Sequence, residues 1–143
     1  MQARWIIHAA GIAVLLVLMG GGLSAAQEAP TLDARPGMAL ARALMCETIT
    51  EYEPTYVAVV FSVNRGKISC YTAFENIPST TQTTHRWYRR DVLVTTKRLT
   101  LKPPRWATYS SIQLREADKG PWRVEIFDEK DQLLRTLRFS VTD

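Results

Sequence analysis

The chain has 143 residues, 18 Lys and Arg against 14 Asp and Glu, and a formal net charge of +4, a length that suits one domain. Two cysteines and two histidines without CxxC or HxxxH spacing exclude a zinc site, and no motif calls for a cofactor. The charges are interspersed, and only Arg86-Trp-Tyr-Arg-Arg90 sets basic residues among aromatics, so no nucleic-acid partner is expected.

In chain order, Arg4 precedes an apolar and small-residue run from Trp5 to Leu23, centred on Ile12-Ala-Val-Leu-Leu-Val-Leu-Met19. This is the layout of a secretory signal peptide, and Ser24-Ala-Ala26 supplies small residues for cleavage after Ala26. The competing reading is an uncleaved anchor helix, since residues 5–23 are just long enough to cross a bilayer. Either way the domain is expected to be exported, periplasmic or otherwise extracytoplasmic, with membrane contact only through this segment if it is retained. Removing residues 1–26, which hold one arginine and no acid, leaves 117 residues with a net charge of +3. Residues 27–37, with Pro30 and Pro36 and few apolar side chains, read as a linker, and residues 38–143 as a single domain.

Within that domain, Met38 to Thr50 mixes helix formers (Ala39, Ala41, Ala43, Leu44) with a strand-like Cys46-Glu-Thr-Ile-Thr50, and is read as a strand. Pro54 pushes Glu53 into an extended or turn conformation. Tyr56 to Val63 is apolar and β-branched, which predicts a buried strand ending in a turn at Asn64 to Gly66. From Lys67 to Phe74, Ile68, Cys70, Thr72 and Phe74 alternate with polar or small residues, so Cys70 points with the apolar set. Thr81 to Tyr88, Asp91 to Leu101 and Arg105 to Leu114 continue the strand-like pattern, with His85 and Trp87 on one face of the first. The final stretch, Gly120 to Thr142, predicts a β-hairpin. Trp122, Val124 and Ile126 alternate in one arm and Leu137, Phe139 and Val141 in the other, around a polar turn at Asp128 to Asp131.

About seven short strands at regular spacing predict an all-β fold, an immunoglobulin-like antiparallel β-sandwich preceded by the signal or anchor helix. An even cysteine count in an exported chain suggests a Cys46–Cys70 disulfide, which would stabilise the fold by about 3 kcal/mol on the chain-entropy account; the alternative is two buried free thiols.

The order of these features resembles a bacterial family, domain of unknown function 2914, over roughly residues 40–142. The matching features are Arg42 with Met45-Cys46, Glu53-Pro54, Cys70-Tyr-Thr-Ala-Phe74, His85-Arg-Trp87-Tyr88, Arg105, Tyr109-Ser110, Gly120-Pro-Trp-Arg-Val124 and Phe139. The resemblance implies an extracytoplasmic β module attached to membrane segments, with no assigned chemistry.

For chemistry, Ser110, His85 and Asp91 are the one triad that can be written down, and no nucleophile elbow surrounds Ser110, so no enzymatic activity is expected. The candidate binding site combines His85, Trp87, Tyr88, Arg105 and Tyr109, aromatic platforms beside a cation and an imidazole. The structural alternative makes Trp87 and Trp122 core residues, hydrogen-bonds His85 to a backbone carbonyl and pairs Arg105 with an acid such as Glu125. The expected function is a non-enzymatic protein-interaction domain of the cell envelope; the alternative is a glycan or small-ligand module. An aliphatic patch or bare strand edge would favour a protein partner, and a contiguous exposed aromatic surface a glycan.

Overall fold

The computed structural model describes residues 37–143, so the signal, anchor and linker expectations for residues 1–36 lie outside the described residues. Nine strands follow in order: β1 (Ala39–Thr50), β2 (Glu53–Val57), β3 (Val60–Ser62), β4 (Lys67–Glu75), β5 (Thr81–Arg89), β6 (Val92–Leu101), β7 (Trp106–Gln113), β8 (Gly120–Phe127) and β9 (Leu133–Thr142). The only helical turns among the described residues are two short 3₁₀ segments, Val63–Arg65 and Glu116–Asp118. The strands form two sheets, one of four in the order β2-β1-β4-β7 and one of five in the order β3-β9-β8-β5-β6. The predicted C-terminal hairpin is β8 and β9, with Trp122 opposite Phe139 and Val124 opposite Leu137.

The alternating apolar residues meet between the sheets. Ile68, Cys70 and Phe74 of the four-stranded sheet face Trp87, Trp122, Val124, Ile126, Phe139 and Val141 of the five-stranded sheet in one core. Phe139 is its hub: Phe61 and Trp87 meet it edge-on at 5.9 and 6.1 Å between ring centroids, and Trp122 stacks on it at 6.0 Å. Offset and edge-on ring pairs add to what area burial alone contributes.

Two expectations are corrected here. The strand count is nine rather than about seven, because Tyr56 to Val63 is not one buried strand. Its first part belongs to β2 at the edge of the four-stranded sheet, and after Ala58 the chain crosses to pair β3 with β9, in parallel. Phe61 and Val63 are buried in the core and Ala58 packs against it, while Tyr56, Val57, Val59 and Val60 are exposed. Pro54 is tolerated because β2 is an edge strand with one free side.

The second correction is the disulfide. Cys46 and Cys70 lie on neighbouring strands, but Cys46 is opposite Ser69 and Cys70 is opposite Met45. That offset of one residue sends the two side chains to opposite faces of the sheet. Cys70 joins the core, Cys46 lies beneath the outer face, and both are buried free thiols. Burial pushes Cys46 up to about 11 and Cys70 higher still.

Candidate functional site

His85 is the most unusual residue of the interior, a fully buried imidazole on β5 between the two sheets. From the four-stranded sheet, Thr72 Oγ1 lies 3.2 Å from its Nε2 and Ser110 Oγ lies 2.8 Å from its Nδ1, while Trp87 Nε1 donates to the same Ser110 Oγ at 3.0 Å. An indole N–H can only donate, so Ser110 Oγ accepts from Trp87; the Thr72 and Ser110 hydroxyls can each donate or accept, so they satisfy the neutral imidazole in either tautomer. Among the described residues no buried side-chain nitrogen or oxygen lacks a partner. Burial, which disfavours the imidazolium, lowers the pKa of His85 from 6.5 to about 4.

Ser110 and His85 therefore have the spacing of a nucleophile and its base. Both, however, are sealed in the core, and Asp91 sits in the β5–β6 turn, where its carboxylate receives Arg123. The contact holds the two sheets together; nothing in it faces solvent. The structural account anticipated a carbonyl partner for His85, and the partners are instead two hydroxyls.

The five residues proposed as a binding site are not brought together. His85 and Trp87 are buried between the sheets. Tyr88 lies on the outer face of the five-stranded sheet, its ring 4.1 Å from the Arg123 guanidinium. Tyr109 is exposed on β7 of the other sheet, and Arg105 precedes that strand, exposed and without an ion pair among the described residues. Glu125, the acid expected to hold Arg105, pairs instead with Arg123 Nε at 2.9 Å. Among the described residues the exposed aromatic side chains are spread out: Tyr52 and Tyr56 belong to the β1–β2 end of the four-stranded sheet, and Trp106 and Tyr109 to β7 at its opposite edge.

The feature that residue-by-residue reading did not find is an open edge. β9 pairs with β8 along its length, but on its other side β3 covers only Ser140 to Thr142. Ser140 donates its N–H to Val59 O on that side at 2.9 Å. Arg138 and Thr136, two and four residues away, point their N–H and C=O groups the same way, and no described strand pairs with them. β2 likewise pairs only with Cys46 to Thr50 of β1, leaving Ala39 to Met45 bare on that side apart from one bond from Ala58 N to Met45 O. Between these edges lies a groove of about 410 Å³ with walls of Ala43, Met45, Val57, Val59 and Leu137, and with Arg138 at its rim. The signal that could have found it is the break at Ala58, which makes β2 and β3 too short to cover their neighbours.

Among curated proteins none matches the chain. A solved β-glucosidase from Kluyveromyces marxianus is similar to it at 11% identity and a TM-score of 0.42, over 75% of this chain and 14% of that one. The CARDB domain of the PF1109 protein from Pyrococcus furiosus, solved with di-metal ions, is similar at 16% identity and a TM-score of 0.40, over 59% of this chain and 80% of that one. This chain thus spans a small fraction of the glucosidase. Over residues 80–141, from the start of β5 to nearly the end of β9, the chain matches the family described as a protein of unknown function, DUF2914.

Proposed function

We propose that this domain is a non-enzymatic interaction module of the cell envelope, an immunoglobulin-like sandwich that binds an extended segment of a partner protein along the free edge of β9. The observation that carries this reading is the bare stretch from Leu133 to Phe139 with the apolar groove beside it. A segment laid there pairs its backbone with Thr136 and Arg138, and alternate side chains drop into the groove, the mode of recognition known as strand addition. The small walls, Ala43 and Val59 among them, suit valine- or alanine-sized residues at every second position.

The edge of β6 is longer and also bare, with Val92, Leu93 and Val94 exposed. It carries Lys97 and Arg98 at its centre, the kind of charge that protects an edge from pairing. Aliphatic exposure and bare edges favour a protein partner over a glycan, as does the separation of the exposed tyrosines. The apolar run at residues 5–23 supports export, and a sealed Ser110–His85 pair supports a role without catalysis.

The test compares edges. A photo-crosslinking residue is placed at Leu134 or at Val94 in the full-length chain, in cells, with and without Thr136→Pro. Proline at 136 removes an N–H from the free edge and spares the bonds to β8. A discrete product from position 134 that disappears in the Thr136→Pro variant, at unchanged melting temperature, is expected. A product indifferent to Thr136→Pro, or one formed only from position 94, would overturn the assignment.

A further inference from the structure

On the outer face of the five-stranded sheet, at the β5–β6 turn, Arg90, Arg123 and Arg138 surround a cavity of about 100 Å³ bordered by Tyr88 and Asp91. Arg123 and Arg138 are directly opposite one another on β8 and β9. Like charges in that relation weaken a ladder, and a negative group between them reverses the effect.

Two of the three arginines are held in place. Arg123 donates from Nε to Glu125 at 2.9 Å and from Nη1 to Asp91, and its guanidinium lies over the Tyr88 ring. Arg90 donates from Nη2 to Lys119 O at 3.3 Å and lies against Gly120, which has φ +121°, where a Cβ would stand 3.1 Å from its Nε. Arg138 is exposed, and among the described residues nothing takes any of its five donors. Arg123 Nη2 is free in the same sense.

Three guanidinium groups against two carboxylates, Asp91 and Glu125, leave one positive charge at the cavity. The geometry points to a carboxylate-binding site there, with the planar fork of Arg138 taking the two oxygens and the remaining donors of Arg123 completing the contact. A single negative charge balances the corner, which a dianionic group would overfill. Asp91, a turn residue with a side chain 88% exposed, already seats its carboxylate on Arg123, so the corner accepts this group. The inference rests on the cavity and not on the β9 groove, although Arg138 borders both.

The probe is acetate, titrated at constant ionic strength against sodium chloride, with the arginine Nε–H resonances as readout. A saturable shift of Arg138 and Arg123 with acetate and not with chloride is expected. Arg138→Gln should weaken it about tenfold or more, while Arg135→Gln, an exposed arginine of the same strand on its other face, should leave it unchanged. Equal shifts with chloride, or a titration unaltered by Arg138→Gln, would overturn the site. The peptide acetyl-Val-Asp-Val-amide and its Asn counterpart then name the source. Tighter binding of the Asp peptide than of acetate assigns the carboxylate to a protein segment, and equal binding assigns it to a small free acid.

Discussion

Acid should loosen this domain through one residue. The unfolded chain binds a proton at His85 below its ordinary pKa of 6.5, whereas the folded chain, with a pKa of about 4, does not. Between those values the unfolded state holds the extra proton, so stability falls as the pH falls from about 6.5 to about 4 and is level with respect to this group outside that window. A difference of 2.5 units at 1.36 kcal/mol each gives a loss of about 3 kcal/mol, and full burial of the imidazole means that solvent does not screen it. For a domain whose total stability is about 5–15 kcal/mol, that is a large fraction. The protonated ring must also donate from both nitrogens, so both hydroxyls must then accept from it. Urea denaturation of the wild type and of His85→Gln, at pH 7.0, 5.5 and 4.5, measures the difference. Carboxylates titrate alike in both proteins and cancel. The substitution lowers stability at every pH, but the further drop on acidification should be about 2–3 kcal/mol smaller in the variant. Arg105→Gln, exposed and unpaired among the described residues, serves as a control and should stay within about 0.5 kcal/mol of the wild type. If wild type and His85→Gln lose the same stability between pH 7.0 and 4.5, the imidazole is not held neutral and the reasoning fails.

Three further outcomes can be checked. Trp122→Ala should cost about 3–5 kcal/mol, because Trp122 is buried, stacks on Phe139 and donates to Asp118 O at 2.7 Å, whereas Trp106, 38% exposed, should cost far less; equal denaturation midpoints would contradict the burial. Thiol labelling should modify neither cysteine in the native protein and both after denaturation without reductant, and fewer than two labels would restore the disulfide. Tyr52→Gly should raise stability by about 0.5 kcal/mol, since Glu51 and Tyr52 form a two-residue hairpin turn with φ of +50° and +66° and Tyr52 packs against nothing; an unchanged or lower melting temperature would count against the strain.

Much of the fold was legible because period-two alternation is a local signal. The strands near residues 67–74, 81–88, 91–101 and 120–142 were all visible in it, as was the inward direction of Cys70, whereas Trp87 was placed in the candidate binding site with the core as the alternative. Tyr56 to Val63 misled because an apolar β-branched run has the same composition whether it fills a central strand or changes sheets at an edge. The cysteine pairing misled because the facing of Cys46 depends on its register with β4, a relation between segments that neither segment displays alone. The site was harder for the same reason. His85 and Ser110 were both named, but their contact joins residues 25 apart across two sheets. The open edge of β9 follows from the shortness of β3, which becomes visible only once the partners are known.

The bonds from Thr72 and Ser110 to His85 also bear on how the two sheets are aligned. Close-packed rings such as Phe139 and its three partners already resist sliding of one layer on the other. A shift of one residue along a strand, about 3.3 Å, would also part the imidazole from both hydroxyls and the Trp87 indole from Ser110, stranding five buried polar groups at once. The apolar residues hold the layers together, and the imidazole adds a directional constraint on the same alignment. Filling its place with leucine would keep the apolar contact between the layers but take that directional constraint away from the Thr72 and Ser110 hydroxyls.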